Sequence, residues 1–208
     1  MTRLLLIRHG ANDSLKKEIL VGWTPDVHLN QKGQAQAEAL AQRLAPVEIA
    51  AIYTSPLERA TETAHVIAAP HELPVVVREG LGEVRFGLWT GESLDKLRRK
   101  QLWRAVQFAP STMRFPGGES FCEVQARVVA ELDALRAKHP RQTVAVVSHA
   151  DVIKIAVAHY VGLHLDLFQR LAIEPASLTV LALGGPVPYL ACMNDTGHLP
   201  PAPEGEHK

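Results

Sequence analysis

The sequence predicts an α/β fold organised around a parallel sheet, and three observations predict it. Two apolar runs, Leu4-Leu5-Leu6-Ile7 and Val144-Ala145-Val146-Val147, are short and bounded by small or polar residues, the pattern of strands buried on both faces. Helix and strand periods alternate along the chain, as βαβ units require. The length, 208 residues, suits one domain, whose folding buries roughly 70% of the surface of the unfolded chain. Each run ends in a histidine, in Arg8-His9-Gly10 and in Ser148-His149-Ala150. Ligands of open α/β sheets sit beyond the carboxyl ends of the strands. Two imidazoles far apart in sequence are therefore aimed at the place where such a fold does chemistry.

The elements follow in order. Leu4 to Ile7 is the first strand, and a loop with Gly22, Trp23 and Pro25 comes next. Asn30 is a helix N-cap, and Ala37, Leu40, Ala41 and Leu44 form one apolar stripe of the helix that it opens. Ile49 to Tyr53 is the second strand. Ser55 with Glu58 reads as a capping box, with Pro56 at the first helical position and Arg59 in the first turn. Val75 to Val77 is a short third strand. Residues 84–119, with their glycines and prolines, read as an irregular cap containing a helix near 93–106. Ser120 with Glu123 is a second capping box, opening a helix lined by Phe121, Val124, Val128, Leu132 and Leu135 and ending near Pro140. Thr143 to Val147 is the central strand, followed by a helix that stops at Gly162. Leu178 to Leu183 and Tyr189 to Met193 form a hairpin through Gly184-Gly185-Pro186. A single domain over residues 1–195 is expected, with a flexible tail over 196–208.

Composition excludes several classes. Lys plus Arg is 22 and Asp plus Glu is 22, so a nucleic-acid partner is not expected and any anion site must be local. No apolar stretch approaches the ~20 residues of a membrane span, and the amino terminus lacks a signal-peptide pattern. Cys122 and Cys192 make neither a disulfide framework nor a metal motif, which fits a reduced, cytoplasmic setting.

The candidate chemistry centres on Arg8, His9, Arg59 and His149. Singly, each has a plain structural explanation: a turn histidine bonded to backbone, a core histidine, or a surface arginine. An arginine in a first helical turn opposes the helix dipole at a cost of ~0.3–1 kcal/mol, which an anion bound between them offsets. Together they make a pocket of two guanidiniums and two imidazoles, for which the natural guest is phosphate. Histidine is also a nucleophile able to form a covalent intermediate. Gly10 beside it is expected to let a ligand approach the backbone. A metal site is the rival use of two histidines, although adjacent arginines repel a cation. Glu83, between Gly82 and Gly87, is either an exposed loop residue or a proton donor whose pKa is raised by its surroundings. Arg98, Arg99, Lys100 and Arg104, interleaved with Trp103 and Phe108, make a basic cap that meets an anionic substrate or merely a solvated helix face.

These motifs resemble those of the histidine phosphatase superfamily, which includes cofactor-dependent phosphoglycerate mutases and many small phosphatases. The resemblance runs over nearly the whole chain: Arg8-His9-Gly10, Gly22-Trp23 with Leu29-Asn30-Gln31-Lys32-Gly33, Tyr53 to Ala60 with Thr63-Ala64, Glu83 with Gly87 and Gly91, and Ser148-His149-Ala150. It implies a phosphoglycerate mutase-like three-layer αβα sandwich with a mostly parallel central sheet. It implies that His9 is phosphorylated and dephosphorylated, and that Glu83 is general acid and then base. Arg8, Arg59 and His149 would hold the phosphoryl oxygens, with Gly22 and the backbone N–H of Ala150 at the substrate-binding site. No metal or organic cofactor is implied, and a homodimer is left open. The chain departs from the pattern at Ala11, Asn12 and Leu15, where the family carries other residues. Asn12 is the candidate to supply the missing amide. The short segment between Glu83 and Glu119 resembles small phosphatases such as α-ribazole phosphatase more than glycolytic mutases. The expected function is phosphomonoester hydrolysis of a small phosphorylated metabolite. Mutase-type phosphoryl transfer and non-catalytic binding of a phosphorylated ligand are the alternatives.

Overall fold

Six strands form one sheet in the computed structural model, which describes residues 1–185 and 187–200. They are β1 (Thr2–Arg8), β2 (Ala51–Thr54), β3 (Val75–Val77), β4 (Thr143–Ser148), β5 (Leu178–Leu183) and β6 (Tyr189–Asp195). The strand order is β3-β2-β4-β1-β5-β6. Pairs β3–β2, β2–β4 and β4–β1 are parallel, whereas β1–β5 and β5–β6 are antiparallel. The expected mostly parallel sheet is thus observed, and β5 and β6 are the expected hairpin. Of its connection, Pro186 lies outside the described residues.

The helices are α1 (Asp13–Lys16), α2 (Gln31–Leu44), α3 (Glu58–Ala68), α4 (Leu94–Arg98), α5 (Trp103–Phe108), α6 (Phe121–Lys138) and α7 (Ala150–Val161). Strand periodicity explains the layering. Leu5 and Ile7 of β1 and Ala145 and Val147 of β4 pack with Leu40, Ala41 and Leu44 of α2 and Ala60, Ala64 and Ile67 of α3. Their neighbours Leu4, Leu6, Val144 and Val146 point the other way, into a core with Val124, Val128 and Leu132 of α6 and Val152, Ile155 and Ala156 of α7. A sheet apolar on both faces and covered on both is the three-layer αβα sandwich.

Asn30 caps α2, its side chain accepting from Gly33 N–H at 2.9 Å. Ser120 and Glu123 form the full capping box of α6. Gly162, left-handed at φ 72°, ends α7. Three expectations gain detail. The 93–106 helix is two short helices, α4 and α5, broken at residues 99–102. Of the four cations of the basic cap only Arg98 is ion-paired among the described residues, with Asp95 and Glu18, while Arg99, Lys100 and Arg104 lie exposed. Trp103 stacks on Trp89 with ring centroids 6.2 Å apart, so it belongs to the packing beneath the cap. Finally, residues 196–200 of the expected flexible tail are tied down: His198 Nε2 donates to Ala176 O at 3.1 Å, and Arg43 reaches Asp195 at the end of β6. Residues 201–208 and the side chain of Leu15 lie outside what is described. Among the described residues no helix is long and apolar enough to cross a membrane.

Candidate active site

The two histidines meet because their strands are neighbours in register. Arg8 of β1 pairs with Ser148 of β4, and His9 N–H donates to Ser148 O at 3.0 Å, one residue past the strand. Their ring centroids stand 5.2 Å apart at 60°. β2 lies on the other side of β4, and Ser55 N–H donates to Val147 O at 3.0 Å before the chain turns into α3. Arg59, in the first turn of α3, is 1% exposed and reaches between the two rings. α7 begins at Ala150, so its amino terminus lies at this same end of the sheet.

The hydrogen bonds assign the protons. His9 Nδ1 is 2.7 Å from Gly10 O. A carbonyl only accepts, so Nδ1 carries the hydrogen and Nε2 carries the lone pair. That lone pair accepts from Arg59 Nε at 3.3 Å. Arg59 Nη2 donates to Gly22 O at 2.9 Å and reaches His149 Nδ1 at 3.4 Å. A guanidinium has no acceptor, so His149 holds its lone pair on Nδ1 and donates from Nε2 to Ser55 Oγ at 2.7 Å. One guanidinium thus occupies the space between the imidazoles, the place that a shared metal ion would need.

Arg8 donates from Nη1 to Ile173 O at 2.6 Å. Among the described residues, its buried Nε and the buried Nη1 of Arg59 have no hydrogen-bond partner. Buried guanidinium donors are usually satisfied. Two such donor nitrogens near a histidine lone pair suit an oxyanion.

Burial, reinforced by Arg59 and Arg8, holds His9 well below its ordinary 6.5. Burial, then Arg59, His9 and Arg8, does the same to His149. Both rings are therefore neutral at neutral pH. Glu83 behaves oppositely: burial and the Asp151 carboxylate push it up to about 7, against the opposing pull of Arg59 and Arg8. Its carboxylate lies 3.8 Å from His149 Nδ1, a contact with a neutral ring and so not an ion pair. Its other oxygen accepts from Val84 N–H at 2.9 Å.

The structure therefore brings Arg8, His9, Arg59, Glu83 and His149 together. Gly22 enters through its carbonyl, which orients Arg59. It sits at φ +50°, and a Cβ there would come within 2.9 Å of Phe86. Asn12 is buried, and its Oδ1 accepts from Ser14 N–H at 3.0 Å, next to α1. One sequence reading is corrected and one gains detail. Ser55 and Glu58 do not form a capping box: the N-cap of α3 is Leu57, the Ser55 N–H belongs to the sheet, and the Ser55 hydroxyl takes the His149 proton while accepting from Leu57 N–H at 3.3 Å. Gly10 has a packing role that the sequence reading did not include. A Cβ on it would stand 2.5 Å from Gly33 O, and a Cβ on Gly33 would stand 2.0 Å from Ala11 O, so α2 rests directly on the backbone beside His9.

Sequence reasoning missed the bridging role of Ser55, whose position at a strand end was the only signal. It also missed Thr63, which accepts from Gly10 N–H at 3.1 Å and donates to Arg59 O at 2.7 Å, tying α3 to the first histidine loop.

Comparison with known proteins agrees with this geometry. The model of the histidine phosphatase superfamily (branch 1) matches residues 4–196. Phosphoserine phosphatase 1 of Hydrogenobacter thermophilus is 30% identical over 96% of this chain and 95% of its own length. Among solved structures, YhfR of Bacillus stearothermophilus superposes with a TM-score of 0.89 at 31% identity, covering 95% of this chain and 99% of its own. A mutant phosphoserine phosphatase of Entamoeba histolytica, in complex with phosphoserine, superposes with a TM-score of 0.88 at 26% identity, covering 96% of this chain and all (100%) of its own.

Proposed function

This chain belongs to the histidine phosphatase superfamily, and from that premise we propose that it hydrolyses a small phosphate monoester through a phosphohistidine on His9. The observation that carries the proposal is the orientation of the His9 ring. Gly10 O holds the Nδ1 proton at 2.7 Å and leaves the Nε2 lone pair among guanidinium donors.

In this mechanism the Nε2 lone pair attacks phosphorus. The P–Nε2 bond forms as the bond from phosphorus to the substrate's oxygen breaks. Arg8 and Arg59 hold the phosphoryl oxygens, and His149 joins them once the arriving dianion draws a proton onto Nδ1. Glu83, protonated up to about pH 7, gives its proton to the departing oxygen, so the alcohol leaves neutral. The resulting Glu83 carboxylate takes a proton from water, whose oxygen attacks phosphorus. The P–Nε2 bond breaks, inorganic phosphate leaves, and His9 and Glu83 regain their starting states. Asn12 and the Ala150 N–H, both beside these residues in sequence, are the remaining candidates to contact the substrate.

The phosphoserine bound in the Entamoeba relative makes that ester the first to test. His9→Ala is expected to lose several powers of ten in kcat/KM on phosphoserine, because the covalent route disappears. Glu83→Gln is expected to lose ~10²–10⁴-fold on phosphoserine and far less on p-nitrophenyl phosphate, whose leaving group needs little protonation. Undiminished turnover in His9→Ala would falsify the covalent route, and equal slowing of both esters in Glu83→Gln removes its acid role. Interconversion of phosphoglycerates stimulated by a bisphosphate primer, without hydrolysis, establishes a mutase instead. Phosphate-ester binding without any turnover leaves a binding module.

A further inference from the structure

We propose that Arg127, on α6, is a positioning residue that fixes the acid/base carboxyl of Glu83; this rests on the role of Glu83 given above. The backbone around Glu83 belongs to no strand or α-helix. Its place is set from outside, chiefly by one side chain. Arg127 Nη1 donates to Gly80 O at 2.9 Å and to Gly82 O at 2.8 Å, and Nη2 donates to Glu83 O at 3.0 Å. Its remaining donors go to Glu119, Nε to Oε1 at 2.8 Å and Nη2 to Oε2 at 3.0 Å. A guanidinium has five N–H groups, and all of them are used.

Glu119 extends the clamp past the acid. Its Oε2 accepts from Arg85 N–H at 2.9 Å, and its own N–H donates to Arg85 O at 2.9 Å. Backbone groups on both sides of Glu83 are therefore referred to α6 through one planar fork. Trp23 Nε1 adds a second donor to Glu83 O at 2.6 Å. The glycines admit this clamp: a Cβ on Gly80 would lie 2.1 Å from Glu131 Cγ, on Gly82 2.3 Å from Trp23, and on Gly118 2.1 Å from Arg85 O. The Gly117-Gly118-Glu119-Ser120 segment thus gains a task beyond starting α6. Among the described residues His9, Arg59 and His149 make no hydrogen bond to Arg127, and its charge is the smallest of the named pulls that lower His149, so losing it falls first on proton delivery.

The test reads two esters in four proteins: wild type, Arg127→Met, Glu83→Gln and the double variant, each with phosphoserine and p-nitrophenyl phosphate. Misplacing a catalytic group by about 1 Å costs ~10²-fold. Arg127→Met is expected to lose roughly that on phosphoserine, and at least ~10-fold less on p-nitrophenyl phosphate. The alkaline limb of its kcat/KM profile on phosphoserine should move away from that of the wild type. Adding Arg127→Met to Glu83→Gln should cost phosphoserine turnover little more, since the two act as one unit. Arg127→Lys, a cation without the fork, should fall between wild type and Arg127→Met.

Equal losses on both esters from Arg127→Met, beside unequal losses from Glu83→Gln, overturn the positioning role alone. Equal losses in both single variants bring down the acid assignment, and the positioning role with it. If Arg127→Met yields no folded protein by circular dichroism, Glu119→Gln reads the clamp from its other end, and equal losses there overturn the proposal.

Discussion

Replacing Ser55 with alanine deletes the hydroxyl that accepts from His149 Nε2 at 2.7 Å. Both residues are fully buried, at 0% exposure, so water does not replace the lost partner. If the imidazole keeps its tautomer, a buried N–H faces a methyl group, at a cost of ~1–3 kcal/mol. If the proton moves to Nδ1, that nitrogen turns its hydrogen toward Arg59 Nη2, 3.4 Å away, and two donors oppose each other. Either outcome disturbs the side of the ring proposed to bind phosphate. Converted at 1.36 kcal/mol per decade, the loss is ~5- to 150-fold in kcat/KM if it falls on the transition state. If it falls on stability, a chain of this length loses about 2–4 °C of Tm per kcal/mol. Steady-state kinetics on phosphoserine and a thermal melt together capture both. A Ser55→Ala protein with wild-type kcat/KM and wild-type Tm refutes the reasoning, since neither account of the orphaned nitrogen then holds.

Two further predictions concern pH and packing. Glu83 sits at about 7 and His9 well below 6.5, so kcat/KM on phosphoserine should hold through mildly acidic pH and fall as Glu83 ionises above about 7; a profile that rises there contradicts the assignment. For stability the signs oppose. The unfolded chain takes up protons on His9 and His149 below about 6.5 while the fold does not, so both destabilise on acidification; Glu83 binds its proton more tightly when folded, so it destabilises as pH rises from 4.5 toward about 7. Glu83→Gln should therefore raise Tm more at pH 7 than at pH 4.5, and an equal change at both excludes the shift. Gly33→Ala sets a Cβ 2.0 Å from Ala11 O, a backbone atom, and should cost ~1–3 kcal/mol or more, read as a lower urea midpoint with an unchanged m-value.

What the sequence made legible follows from how local each cause is. His9 and His149 are visible because an apolar run that stops on a polar residue at a strand end needs no tertiary knowledge. Arg59 is visible for a weaker reason, and its helix start was misread. Ser-Pro-Leu-Glu has the spacing of a capping box, but the Ser55 N–H that such a box needs is already spent on Val147 O. The packing role of Gly10 was not legible, because the contact with Gly33 depends on how a helix lands, which periodicity does not encode. The cap helix over 93–106 breaks at 99–102, where Leu97 is buried while Lys100 and Leu102 face water. Arg127 left no trace, since its partners include three backbone carbonyls, and carbonyls carry no residue identity for a motif to record.

The pairing of Arg8 with Ser148 has a consequence for how the molecule matures. The parts of the proposed phosphate cradle, at residues 8–9, 59 and 149, lie far apart along the polypeptide, and nothing local to any of them can assemble it. A slip of one position between β1 and β4 would turn Leu4 and Leu6 toward the wrong layer and part the imidazoles. Regained turnover during refolding is consequently a clock for the docking of β1 beside β4, and no single stretch of the chain contains the cradle by itself.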